Sequence, residues 1–281
     1  MKRSLTINRL LSGIQQNFKN IFFILFTVFI QNIAVAQKDY ATDPNLSVEV
    51  KAFLKVINSG GQPVESLPVL AARKVLVDAQ ASVNVDLSGI DVSEKTITSD
   101  GFKIKLNIVR PAGVKGVLPV FIFIHGGGWV LGDFPTHKRM VHDLVVLSGA
   151  VGVFVNYTPT PDAVYPRAIN EIYAATKWGA DHGSELNVDG KRLAVVGNSV
   201  GGNMTAVTAL MAEAKHGPEI KLQIMMWPIV DADFNTESYR LFGRDRFLST
   251  SLMKWMYDMY IKTQENDLIF MHLPYGQPLI N

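Results

Sequence analysis

The chain contains no cysteine, which removes disulfides, thiolate metal sites and a cysteine nucleophile together. That absence leaves the compartment open, because exported proteins of this size fold without bridges. Neither sign of charge is in marked excess: 27 Lys and Arg stand against 25 Asp and Glu, a formal net charge of +2. With no cationic run beyond the N-terminus to neutralise phosphates, nucleic acid is not an expected partner. No internal repeat and no low-complexity tract interrupt the 281 residues.

Missing too is an apolar run of the ~20 residues a bilayer-spanning helix needs. The longest candidate, IFFILFTVFI (Ile21 to Ile30), is cut short by Gln31 and Asn32. It follows Lys2, Arg3, Arg9 and Lys19 and precedes small residues at Ala34 and Ala36. Basic segment, short apolar segment and A-x-A site in that order describe a signal peptide. Residues 1–36 are therefore expected to be cleaved near Ala36, leaving a secreted or periplasmic chain without a stable membrane anchor. The alternative is an anchor retained through residues 21–36.

What remains has 48% hydrophobic and 19% charged residues, the make-up of one globular core with an accessory segment. NLSVEVKAFLKVINSGG and LPVLAARKVLVDAQ read as short helices, so residues 37–90 form an N-terminal helical cap or flank. From Asp91 the pattern changes. DVSEKTIT and FKIKLNIV alternate apolar and polar residues about the turn Ser99-Asp100-Gly101, the pattern of strands with one wet face. LPVFIFIH, AVGVFVNY, RLAVVGN and IKLQIMMW are near-continuous apolar runs, as buried parallel strands are. Helical stretches separate them: THKRMVHDLVVLSG, PRAINEIYAATKWGADHG and GGNMTAVTALMAEAKHG. Strands alternating with helices predict an α/β core over residues 91–230, a sheet covered on both faces. Past Pro228, IVDADFNTESYRLFGRDR reads as loop and FLSTSLMKWMYDMYIK as a helix capped by Ser249 or Thr250. Residues 231–281 are thus a cap-like segment and an interrupted C-terminus.

Two motifs carry chemistry. Gly197-Asn198-Ser199-Val200-Gly201 stands where a buried strand gives way to a helix, the setting of a nucleophile elbow that lifts a serine hydroxyl above the sheet edge. Glycine is needed on both sides because a Cβ there would strike the neighbouring strand or helix. The Val200 amide sits at the helix N-terminus, where its N–H is free and the dipole favours an anion. The second motif, His125-Gly126-Gly127-Gly128-Trp129, ends a predicted strand. Successive glycines can turn several N–H groups toward one point, as a tetrahedral oxyanion requires. Neither a G-x-G-x-x-G spacing nor a Gly-Lys-Ser/Thr follows, which excludes a phosphate loop. No cofactor and no metal are expected. A purely structural glycine turn is the plain alternative at either place.

Both motifs together, each at a strand end, resemble the hormone-sensitive-lipase-like esterase branch of the α/β-hydrolase superfamily. The resemblance rests on HGGGW at 125–129, Gly132-Asp133, the Val155-Asn156-Tyr157 strand end, Tyr165-Pro166 before a helix, and GNSVGG at 197–202. It spans roughly Asn45 to Tyr260, and FLSTSLMKWMYDMY is similar to the family's cap segment. It implies an α/β-hydrolase fold, a mostly parallel sheet with helices on both faces and a helical cap. It also implies a serine carboxylester hydrolase acting on a small-molecule ester. Ser199 would attack the carbonyl, the amides of Gly127, Gly128 and Val200 would hold the oxyanion, and His125 with Gly126 would brace the loop. In this branch the residue before the serine is usually Asp; here it is Asn198.

The chain order in the superfamily is Ser, then Asp or Glu, then His. After Ser199 only His216 and His272 remain. His216 ends the helix that starts at the elbow, roughly 25 Å away at about 1.5 Å per residue, and is excluded. His272 lies in FMHLPYG, without the aromatic residue that follows the family's base. Asp231, Asp233, Asp245, Asp258 and Asp267 are candidate acids only by position. No seventh or eighth strand is legible after Trp227. The chain is therefore expected to end before the last strands of its catalytic domain, to leave IKLQIMMW as an exposed apolar edge, and to be impaired in turnover. A non-catalytic binding protein, a serine peptidase and an unstable fragment are the other readings.

Overall fold

The structure, a computed structural model, describes residues 39–261. The expected signal peptide, Asp267 and His272 lie outside them. Six strands form one sheet: β1 (Ile90–Ser99), β2 (Phe102–Pro111), β3 (Leu118–Ile124), β4 (Val151–Asn156), β5 (Val188–Asn198) and β6 (Leu222–Met226), in the order β1-β2-β4-β3-β5-β6. β2 is antiparallel to β1 and β4, and β3 to β6 run parallel. This is the mixed, mostly parallel sheet of an α/β-hydrolase fold. The β1–β2 hairpin closes on Asp100 and Gly101, both at positive φ (48° and 80°), as a two-residue turn that follows the strand twist needs.

Seven helices accompany the strands among the described residues: α1 (Val48–Ile57), α2 (Val69–Ala81), α3 (Phe134–Ser148), α4 (Arg167–Asp181), α5 (Val200–Ala214), α6 (Glu237–Phe242) and α7 (Thr250–Tyr260). Side chains alternate across a strand, and β3 shows both covers. Phe121 and Phe123 join Val109, Phe154 and Val196 in a buried cluster with Val141 and Val145 of α3. Ile122 points the other way, to α4, where a Cβ on Gly179 would lie 3.2 Å from its Cδ1. From β3 the chain passes to β4 on one side and then returns to place β5 on the other. The loops leaving β3 and β5 therefore part at a topological switch point, the place where open parallel sheets bind ligands.

The described residues divide into two compact units, one of 39–60 with Phe234–Thr250 and the other of Gly61–Asp233 with 251–261. In the first, Ser47 caps α1 by accepting from the Val50 amide at 3.3 Å, and Phe53 meets Phe247 with ring centroids 5.9 Å apart. Arg246 pairs with Asp43 at 3.2 Å. The second unit holds the sheet, α2 to α5 and most of α7.

Three local expectations change. The stretch read as loop after Pro228 contains α6, whose N-terminus Thr236 caps; six residues are too few to show a helical period. α3 begins at Phe134 because Asp133 and Thr136 form a capping box, two residues earlier than the stretch starting at Thr136 suggests. β5 begins at Val188 rather than Arg192, pairing with Leu118, with a register shift at Pro119/Val120 where Pro119 has no N–H to donate. No described helix is long and apolar enough to cross a membrane.

Candidate active site

β5 ends in Asn198, and α5 starts at Val200. Between them Ser199 takes φ 55° and ψ −124°, a conformation L-residues reach only at a cost of order 1–3 kcal/mol. The surroundings hold it there. Its amide donates to Met226 O at 2.9 Å, and its carbonyl accepts from Asn203 N at 3.1 Å and Ile229 N at 3.3 Å. The flanking glycines are required by close approach: a Cβ on Gly197 would stand 2.2 Å from Gly201 O, and one on Gly201 would stand 2.0 Å from Ile124 O.

The glycine loop leaves the neighbouring strand β3. Gly127 and Gly128 have φ 115° and 62°, and Gly127 O accepts from Val130 N at 3.2 Å and Leu131 N at 2.8 Å. Among the described residues no acceptor pairs with the amides of Gly127, Gly128 or Val200. The loop and the elbow touch: a Cβ on Gly126 would lie 3.0 Å from Ser199 Cβ, and the Gly126 amide donates to Asn198 Oδ1 at 3.0 Å.

His125 is buried beneath the loop, its ring stacked between Tyr157 (4.2 Å) and Phe154 (5.2 Å). Burial, reinforced by nearby His137, pushes its pKa down to about 3, so the ring is neutral. With Gly126 O 2.8 Å from Nδ1, the ring proton sits on Nδ1 and is donated to that carbonyl. Tyr157 Oη donates to His125 O at 3.0 Å. A group so desolvated and committed fits a brace for the loop and is a poor proton acceptor for Ser199.

Several contacts around the motifs were not read from the sequence. Met256 of α7 lies directly over Gly128, where a Cβ would meet its side chain, and Trp129 stacks on Tyr260 at 4.4 Å. Arg73 of α2 donates to Val130 O at 2.9 Å and Thr160 O at 3.1 Å, just past the glycine loop. Asn198 Nδ2 faces His137 Nε2 at 3.4 Å. Only the last had a signal in the sequence, the Asn where the resembling branch has Asp.

The structure gathers Ser199, Val200, His125 and Gly126 to Gly128, and leaves the other candidates apart. Asp231, Asp233, Asp245 and Asp258 are exposed; Asp231 accepts from the Ala232 and Asp233 amides beside it. His216 is exposed beyond the far end of α5. Among the described residues no histidine ring is hydrogen-bonded to Ser199, and no group of three His, Asp or Glu side chains is placed to hold a metal.

Comparison with known proteins agrees with this fold. The sequence model of the alpha/beta hydrolase fold covers residues 121–279. A solved thermostable esterase from Pseudomonas putida ECU1011 is 55% identical, with a TM-score of 0.78 over 81% of this chain and 72% of that one. A hyperthermophilic esterase from the archaeon Pyrobaculum calidifontis is 31% identical, with a TM-score of 0.75 over 84% of this chain and 75% of that one. The carboxylesterase NlhH of Mycobacterium tuberculosis is 35% identical over 54% of this chain and 48% of its own length. Protein R526 of Acanthamoeba polyphaga mimivirus is 34% identical over 80% and 64%. The chain thus spans about half to two thirds of the length of these two relatives. The chain belongs to the alpha/beta hydrolase family. Within it, the chain falls in the hormone-sensitive-lipase-like branch.

Proposed function

We propose that the protein is a serine carboxylester hydrolase working through an acyl-enzyme on Ser199. One observation carries the reading: a serine held at φ 55° at the N-terminus of α5, beside three amides that pair with no protein acceptor among the described residues. Ser199 Oγ attacks the ester carbonyl while its proton passes to a base. The carbonyl oxygen becomes an oxyanion held by Gly127, Gly128 and Val200. Collapse breaks the bond to the alcohol, which leaves with the proton, and water then hydrolyses the acyl-serine.

Small esters are favoured as the substrate class by the relatives. One is an ethyl acetate hydrolase of Pseudomonas putida, 26% identical over 77% of this chain. Another is the esterase rPPE, 54% identical, whose serine-to-alanine mutant was solved with (S)-Ac-CPA. His272 follows Ser199 in the chain but lies outside the described residues and is followed by Leu273 rather than an aromatic residue, so the acid and base stay unassigned. The impaired turnover expected from the sequence rests on the lack of a legible acid and base after Ser199, and the relatives lend it no support. Export after cleavage near Ala36 is part of the proposal; N-terminal sequencing of the mature chain tests it, and an intact Met1 would sink it.

The test is hydrolysis of a short-chain p-nitrophenyl ester together with phosphonate labelling read by intact mass, comparing the full chain with Ser199→Ala. Loss of labelling is expected, with a rate drop of about a thousandfold or more where the triad is complete and a smaller one where the base is missing. Equal rates in the two proteins remove Ser199 from the mechanism, and turnover on the scale typical of enzymes (about 10 per second) removes the impairment alone.

A further inference from the structure

We propose that Asn198 is a positioning residue for the oxyanion loop, the centre of a proton-ordered chain running from the α3 capping box through a neutral His137 to the Gly126 amide. The inference rests on reading Ser199 as the nucleophile; it adds what keeps the neighbouring loop in register with it.

The order follows from counting donors and acceptors. Thr136 Oγ1 accepts from the Asp133 amide at 2.9 Å and gives its only proton to Asp133 O at 2.8 Å. His137 Nδ1 lies 2.9 Å from that hydroxyl and 3.3 Å from Asp133 O; the carbonyl can only accept, so Nδ1 carries the ring proton. From the other end, the Gly126 amide donates to Asn198 Oδ1 at 3.0 Å. This fixes the orientation of the amide group, since reversing it would set two donors face to face. Asn198 Nδ2 is left to donate to His137 Nε2 at 3.4 Å, which must be bare. Both ends demand the same species, a neutral imidazole protonated on Nδ1.

The charges around the ring agree. His137 is buried against Phe123 and His125, with Asp133 the facing carboxylate. Burial lowers its pKa and outweighs the help from the Asp133 carbonyl and charge; a second charge on His125, 5.4 Å away, would be repelled. A carboxylate at 198 would break the order. Its oxygen cannot donate to Nε2, so the link would need a proton on Nε2 and a charged ring. Asp at this position would raise the His137 pKa: the link would hold below that pKa and be lost above it, where two bare acceptors face each other. Asn makes the loop anchor independent of pH.

The test is nitrogen NMR of the histidine rings in the full chain, with His137 assigned by its loss in His137→Gln, beside pH profiles of ester hydrolysis for Asn198→Asp and Asn198→Ala. In the wild type the His137 ring should be neutral with its proton on Nδ1 from about pH 7 to pH 8. Asn198→Ala should lose about tenfold in kcat with KM changed less than about twofold, short of the hundredfold of a missing oxyanion donor. Asn198→Asp should regain wild-type kcat at low pH and lose it as pH rises, with the His137 ring charged in the active form. A wild-type His137 protonated on Nε2, or titrating in that range, overturns the proposal. So does a pH profile of Asn198→Asp that superimposes on the wild type. If wild-type Ser199 takes no phosphonate label, the esterase reading fails, and the ring tautomer still decides the hydrogen-bond chain.

Discussion

β3 (LPVFIFI) and β6 (LQIMM) are both apolar strands running parallel to and bonded with β5, yet they meet different surroundings. β3 buries Val120 to Ile124, with β4 on one side, β5 on the other and helices on both faces. β6 stands at the end of the sheet order with Leu222 53% and Met225 45% exposed. The two strands also serve the site differently. β3 delivers the glycine loop through side-chain packing; β6 supports the elbow through its backbone, Met226 O accepting from Ser199 N. Stability and site geometry should therefore depend on side chains at the centre of the sheet and hardly at all on those of its edge.

The largest effect is expected from Phe154→Ala. Phe154 is fully buried, stacks with Phe123 at 5.8 Å and supports the His125 ring. Removing it should cost about 4 kcal/mol in urea unfolding; a loss under about 1 kcal/mol would mean the centre is not where the fold is held. A middle case sharpens the contrast. Asp133→Ala opens the capping box of α3 and should cost about 1 kcal/mol, read as a shifted urea midpoint at unchanged slope. Smallest of all, Leu222→Lys on β6 should stay within about 0.5 kcal/mol. A cost there matching Phe154→Ala would show that β6 is covered in solution, and the contrast would fall.

Much of this was legible before any coordinates. The strands Leu118–Ile124 and Val151–Asn156 stand out because buried parallel strands are apolar on both faces, and their turns are marked by glycine. The elbow and HGGGW fell at strand ends, as their chemistry needs. α6 was not legible, being too short for a period, nor was the start of β5, which lies across a register shift at Pro119/Val120 from its apolar run. Within the site, His125 and Gly126 to Gly128 were named from the motif, whereas Arg73 and Met256 carry no pattern of their own. Arg73 reaches Val130 and Met256 covers Gly128 only because the fold brings α2 and α7 to the mouth of the sheet.

By itself the sequence determined the local conformations: which runs form strands, where glycine permits Ser199 and the loop to turn, and that no thiol chemistry is available. These depend on backbone sterics and on the period of neighbouring side chains, both written within a few residues. The tertiary structure decided that Gly126 and Asn198 share a hydrogen bond, that burial lowers the His137 pKa, and that β3 is covered where β6 is partly exposed among the described residues. Those depend on strand order and on desolvation by residues distant in the chain, and no local pattern of apolar residues encodes them.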